Sequence, residues 1–201
     1  MALARQGYAV SAADLSGAML ARCEERAAAA GVELDALICR TATDTDEAER
    51  YDACISCFFG LSHLLDETEI ERVFAAVHRA LRPGGLFVFD TINLLEDSLI
   101  SAPRSERSGV RDGVRFRSVM ESKYDTWSSL VHFSEQTEVV DVHGKKQTTR
   151  AEFTIRGWSR HEILELLDRT GFDDVREFRG YEDRGEASEE RVFKLVFACR
   201  K

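Results

Sequence analysis

Apolar residues change their spacing twice along this chain, and the first regime alternates short apolar runs with helical stripes. Tyr8 to Asp14 reads as a short buried strand closed by an acid, and Ser16 then caps a helix that Gly31 stops. Leu34 to Arg40 reads as a second strand, followed by an acidic stretch, Asp44 to Arg50, that reads as a solvated loop. Tyr51 to Phe59 is apolar almost throughout, as expected of a parallel strand covered on both faces. Asp66 and Glu69 have capping-box spacing, and Ile70, Val73, Phe74, Val77 and Leu81 mark one face of the helix that follows. Arg82-Pro83-Gly84-Gly85 is expected to stop that helix before a fourth strand, Leu86 to Ile92. Repeated strand–helix–strand units predict an α/β fold with a doubly wound, mostly parallel sheet.

The second regime begins at Leu94. Leu94 to Asp112 is polar and without period, and its arginines read as part of a solvated loop. Strand-like segments follow at Val114 to Tyr124, Ser128 to Val142 and Gln147 to Ile155, with a turn at His143-Gly144-Lys145-Lys146. Short turns between successive strands predict an antiparallel meander. A helix capped by Ser159, with Glu162 at the capping-box position and Gly171 at its end, restores the first pattern. Two closing strands are expected at Asp174 to Arg179 and Arg191 to Ala198. The chain therefore divides into 1–93, an α/β core; 94–155, an antiparallel insertion; and 156–201, the remainder of the core.

Composition narrows the function. The 201 residues carry a net charge of −9, from 36 acids and 27 bases, which argues against a general nucleic-acid binder needing a basic face. Five arginines between Ser101 and Arg117, against Glu106 and Asp112, form a basic stretch, which would attract an anionic small molecule if it serves a site. No apolar run is long enough to cross a bilayer and no export signal is visible, so no membrane partner and a cytoplasmic location are expected. The five cysteines are expected to be free thiols. Cys54 and Cys57 stand three apart on a strand-like run, where side chains diverge, and no second Cys or His pair follows at zinc spacing, so no metal site is expected.

Ligands in an open parallel sheet sit beyond the carboxyl ends of its strands. Asp14 ends the first strand, where a carboxylate can accept both hydroxyls of a ribose or simply cap the next helix. The run Gly7-Tyr8-Ala9-Val10-Ser11-Ala12-Ala13-Asp14-Leu15-Ser16-Gly17-Ala18-Met19-Leu20 resembles the stretch after the glycine loop of class I S-adenosylmethionine (SAM)-dependent methyltransferases. Tyr51-Asp52-Ala53-Cys54 leading to Phe58-Phe59-Gly60-Leu61-Ser62-His63-Leu64 resembles that family's fourth strand and its loop. Leu81-Arg82-Pro83-Gly84-Gly85-Leu86 resembles its entry into the fifth.

The resemblance implies a Rossmann-like core that binds SAM. Asp14 would hold the ribose, Leu15 and Met19 would pack near the adenine, and Arg40 and Thr41 would border the adenine edge, where many members carry an aspartate. Phe58 and Phe59 would line the pocket near the methionine end, and His63 would lie where substrate and cofactor meet. The insertion resembles an antiparallel lid of small-molecule N- and O-methyltransferases, with Arg115, Tyr124 and His132 as candidate substrate contacts. The family's first strand and glycine-rich loop would precede residue 1, between the strands at Tyr8 to Asp14 and Tyr51 to Phe59. A piece of a longer protein or a misplaced start is the expected explanation. The expected activity is methyl transfer from SAM to an N or O atom of a small metabolite. The alternatives are a methyltransferase-shaped remnant or partner subunit without SAM, and a nicotinamide-dependent dehydrogenase, against which the Arg82 to Gly85 turn argues. A homodimer joined through the meander is the other use expected of the insertion.

Overall fold

The structure is a computed structural model and describes residues 1–44, 47–92, 103–180 and 194–201. A short helix α1 (Ala2–Arg5) leads to strand β1 (Ser11–Ala13), helix α2 (Gly17–Ala29) and strand β2 (Ala36–Ile38). Strand β3 (Tyr51–Ser56), helix α3 (Glu67–Ala80) and strand β4 (Leu81–Ile92) follow. Then come β5 (Arg104–Arg111), β6 (Val114–Asp125), β7 (Leu130–Val140) and β8 (Lys146–Arg156), helix α4 (Arg160–Arg169), and strands β9 (Asp173–Arg179) and β10 (Lys194–Arg200).

These strands form three sheets. β1 and β2 are a parallel pair. The central sheet has the order β3-β4-β10-β9, with β3 parallel to β4 and the other neighbours antiparallel. The core is thus mixed, where the strand–helix alternation predicts a mostly parallel sheet. β10 runs antiparallel to both of its neighbours, β4 and β9, which makes the sheet mixed. The sheets part between β1 and β3, where the resemblance puts the family's first strand.

Helix α3 forms as its apolar stripe requires. Asp66 caps it by accepting from the Thr68 and Glu69 amides at 2.8 and 3.2 Å. Ile70, Val73 and Phe74 are buried against the central sheet with Phe87, Phe89 and Phe197. The Phe87 and Phe89 rings lie 4.7 Å apart, and Phe74 meets Phe87 edge-on at 5.6 Å. Helix α4 joins the same cluster through Ile163, Leu166 and Leu167, so α3 and α4 cover one face of the sheet. The other face of β3 is open, with Ile55 54% exposed. That corrects the expectation of a strand covered on both faces: its apolar run reflects composition, and of its residues Tyr51 and Cys54 pack against the core.

The Arg82 to Gly85 motif does not make a separate loop, because β4 begins at Leu81, directly after α3. Leu81 pairs with Tyr51, and the register then slips before Ala53 meets Leu86. Gly84 takes φ +78°, and a Cβ on Gly85 would sit 2.8 Å from the Arg82 carbonyl oxygen, so two glycines absorb the irregularity.

The insertion is a four-stranded antiparallel sheet, β5-β6-β7-β8. Its boundaries at β6, β7 and β8 match the alternation closely. Arg104 to Arg111 is a strand and not a loop, which corrects the aperiodic reading of that part of the stretch; residues 94–102 lie outside those described. β5 is an edge strand with little buried surface, so it carries no apolar alternation. It is held by its ladder to β6, by a two-pronged Arg117–Glu106 ion pair at 2.7 and 2.9 Å, and by a turn at Asp112 and Gly113, φ +52° and +78°.

Arg156 and Trp158 seat the insertion on the core. The Arg156 guanidinium carbon stands 3.9 Å above the Trp158 ring, while its nitrogens reach the Leu65 carbonyl and Glu162. Trp158 is 1% exposed and donates to the Leu64 carbonyl at 3.2 Å.

Candidate functional site

The carboxyl ends of β1, β2, β3 and β4 carry the residues the sequence singles out. Asp14 follows β1 and is exposed; its Oδ1 accepts from the Ser16 amide at 2.8 Å, the tight turn that starts α2. Ser16 in turn accepts from Met19, as its capping role requires. A cleft of about 410 Å³ opens beside Asp14 and is lined by Met19, Leu20 and Cys23. Met19 is 56% exposed and Leu15 70%, so neither is core.

After β2, Thr41 is engaged locally. Its hydroxyl pairs with Thr43 at 2.8 Å and accepts from the Asp44 amide at 3.1 Å. Arg40 beside it is exposed.

The turn after β3 is the most constrained part of the site. Phe58 and Phe59 have φ +63° and +62°, two successive non-glycine residues in the left-handed region, which is costly without compensation. Asp90, fully buried near the end of β4, supplies that compensation. Its carboxylate accepts from the Phe58 amide at 2.9 Å and from the Phe59 amide at 2.7 Å. The Lys194 ammonium, at the start of β10, stands 4.4 Å from the Phe58 ring centre and 5.2 Å from that of Phe59. The antiparallel pairing of Lys194 with Ile92 brings it there.

Phe59 also packs against a second apolar cluster of Ile92, Val131, Phe133 and Ile155, with Met120 and Tyr124. This cluster joins the strand ends to the inner face of the antiparallel sheet. His63, exposed on the turn Gly60–His63, lies 6.1 Å from the Phe153 ring of β8. Strand alternation and the regular β6–β7–β8 register separate the three candidates on the insertion. Tyr124 faces inward with Val131 and Ile155. His132 and Arg115 point to the opposite face, where the His132 Nδ1 and the Thr154 hydroxyl are 2.9 Å apart. The site therefore gathers Phe58, Phe59, His63 and Tyr124, and leaves His132 and Arg115 outside.

All five cysteines are free. Burial pushes the Cys54 thiol up to about 11, so it is no nucleophile at neutral pH. Among the described residues no group of His, Cys, Asp or Glu has the geometry to hold a metal ion.

Comparison with known proteins places this geometry. Residues 1–85 match the model of a methyltransferase domain. That match spans less than half of the chain. A methyltransferase-like protein of Geobacillus sp. (strain WCH70) is 32% identical over 89 residues, which are 44% of this chain and 35% of that protein. The chain thus aligns with about a third of the length of that curated relative. The fold is that of SAM-dependent methyltransferases. The solved structure of one from Clostridium acetobutylicum has a TM-score of 0.78 at 19% identity, covering 94% of this chain and 74% of its own. The SAM-bound structure of CalS10, an amino pentose methyltransferase from Micromonospora echinaspora, has a TM-score of 0.72 at 19% identity, covering 96% and 74%.

Two residues of this candidate site escape sequence reasoning. Asp90 was visible as an acid at a strand end, the same signal that marks Asp14. Lys194 had no local signal, since only the pairing of β10 with β4 carries it to the aromatic turn.

Proposed function

We propose that this chain belongs to an enzyme that transfers a methyl group from SAM to an N or O atom of a small metabolite. The observation that carries the reading is the placement of Asp14 and the Phe58–Phe59 turn at the carboxyl ends of the parallel strands β1 and β3, with Tyr124 packed in the same cluster as Phe59. The residues present fit the donor part by part. An exposed carboxylate beside a cleft suits a ribose diol, the exposed Leu15 and Met19 suit a flat base, and the aromatic pair suits a positive centre.

SAM, when bound, supplies an electrophilic methyl group on a sulfonium. Asp14 would hold the ribose, and Phe58 and Phe59 would line the methionine end. The transfer is an in-line displacement, so positioning of the acceptor and exclusion of water are the protein's main work. The inner face of the antiparallel sheet serves that end: Tyr124 and the apolar residues around it roof the strand ends as a lid. His63 is the one titratable candidate on this turn for taking a proton from an acceptor that arrives protonated. CalS10 is described as acting on an amino pentose, which makes amino sugars the first acceptors to try.

The test is calorimetry with SAM on the intact protein, followed by transfer of labelled methyl to a panel of amino sugars. Binding and label transfer are expected, and an intact protein that binds no SAM refutes the reading. Tyr124→Ala is expected to lower turnover or change acceptor preference, with SAM affinity unchanged. His132→Ala and Arg115→Ala are expected to do neither. A change of mass in solution on substituting Tyr124, with acceptor kinetics intact, would make the sheet a dimer interface instead.

A further inference from the structure

The turn after β3 is over-determined in a way that binding a flat or apolar group does not require. Its two aromatic residues are held in a conformation that both disfavour, by a carboxylate that is itself fully buried. Each oxygen of that carboxylate takes one amide. Bonds from amides to an ionised acceptor are among the stronger ones available, and here they fix two rings at once. What the rings do once fixed is visible: both turn toward the same ammonium, that of Lys194, at 4.4 and 5.2 Å. Phe58 remains 76% exposed while doing so, which packing alone does not explain.

We propose that Asp90 is a positioning residue that holds Phe58 and Phe59 as a paired aromatic face for an organic cation. We propose further that this cation is the donor's sulfonium, with the Lys194 ammonium occupying the face when no donor is bound. The inference rests on the SAM-binding reading given above. Ring faces attract positive charge through their quadrupole, and the attraction grows as water is excluded. A sulfonium and an ammonium next to the same rings repel each other, so donor entry moves the Lys194 ammonium off the pair.

The consequence separates SAM from S-adenosylhomocysteine, which has the same body and a neutral sulfur. Calorimetry of both ligands on the intact protein gives the ratio of their dissociation constants. Phe58→Leu is expected to cut the preference for SAM by about threefold or more, the scale of a cation–ring contact. Asp90→Asn, which keeps one acceptor oxygen and offers an N–H where the other stood, is expected to do the same. It should also speed hydrogen exchange at the Phe58 and Phe59 amides. Lys194→Met is expected to raise the preference, because it removes the competing cation.

A purely structural role for Asp90 would weaken both ligands alike, and that outcome overturns the proposal. So does a ratio unchanged in Phe58→Leu, whose exposed side chain can be replaced without disturbing the core if Asp90→Asn fails to fold. A fall in SAM preference in Lys194→Met also overturns it. Absence of binding by either ligand with all four residues intact removes the SAM reading itself, and this inference with it. That failure is distinguishable because it precedes any substitution.

Discussion

Asp14 does two jobs with two oxygens, and they can be separated. Oδ1 accepts from the Ser16 amide and sets the start of α2, while the carboxylate as a whole faces the cleft beside Met19. Asp14→Ala is expected to weaken SAM binding by about 1–3 kcal/mol, the scale for losing charged hydrogen bonds to a diol. Asp14→Asn keeps an acceptor for Ser16 and loses the charge, so it should retain the α2 cap and most of the affinity loss. An unchanged dissociation constant in both variants, read by calorimetry, would reduce Asp14 to a helix-start residue. The same economy of oxygens explains why sequence alone left its role open: an acid two residues before a serine N-cap satisfies the turn and the ribose pattern equally. His132 and Arg115 show the opposite limit. Their chemistry was legible, but the face they occupy was not, because that depends on which side of the meander meets the core.

At the scale of elements, α4 shows how completely a local signal can set structure. Ser159 accepts from the Glu162 amide, and Glu162 reaches back to the Ser159 amide at 2.8 Å, the reciprocal cap that the spacing announced. Burial by itself would raise the Glu162 carboxyl. The bonds from Ser159 and the Arg156 guanidinium outweigh it and hold the group below the usual carboxylate range. A carboxyl depressed by folding stabilises above its unfolded value, and that contribution is lost as pH falls through the folded one. Acid melts should therefore show wild type losing stability below about pH 5 where Glu162→Gln, lacking the group, changes less. Ser159→Ala should cost about 1 kcal/mol in denaturant titrations at neutral pH. Strand β5 is the contrary case. Exposed along most of its length, it needs no apolar alternation, so its only sequence mark was Asp112-Gly113, a pair that favours the tight hairpin turn it forms.

Over the whole molecule, stability is unevenly shared. Within residues 1–44 only Leu20 and Ala27 are buried, whereas the aromatic core draws every fully buried ring from residues beyond 70. β1 and β2 pair only with each other among the described residues. Amides of Ala12 and Ala13 are thus expected to exchange hydrogen at least about tenfold faster than those of Phe87 and Phe89, since local opening follows local burial. Equal protection would mean that the two sheets open as one unit. A ligand held at Asp14 should slow the first set more than the second. This division was partly legible: the strand–helix alternation marked both halves, but the mixed order of the central sheet depends on β10, whose partner β4 is distant in sequence. The seating of the insertion on Trp158 has an optical consequence. The chain has two tryptophans, one 1% exposed under a guanidinium and the other, Trp127, 96% exposed on the β6–β7 hairpin. Their emission should separate into a blue component from the buried ring and a red one from the hairpin. Lifting the insertion from the core would shift only the blue component, so native fluorescence can follow that motion without an added label.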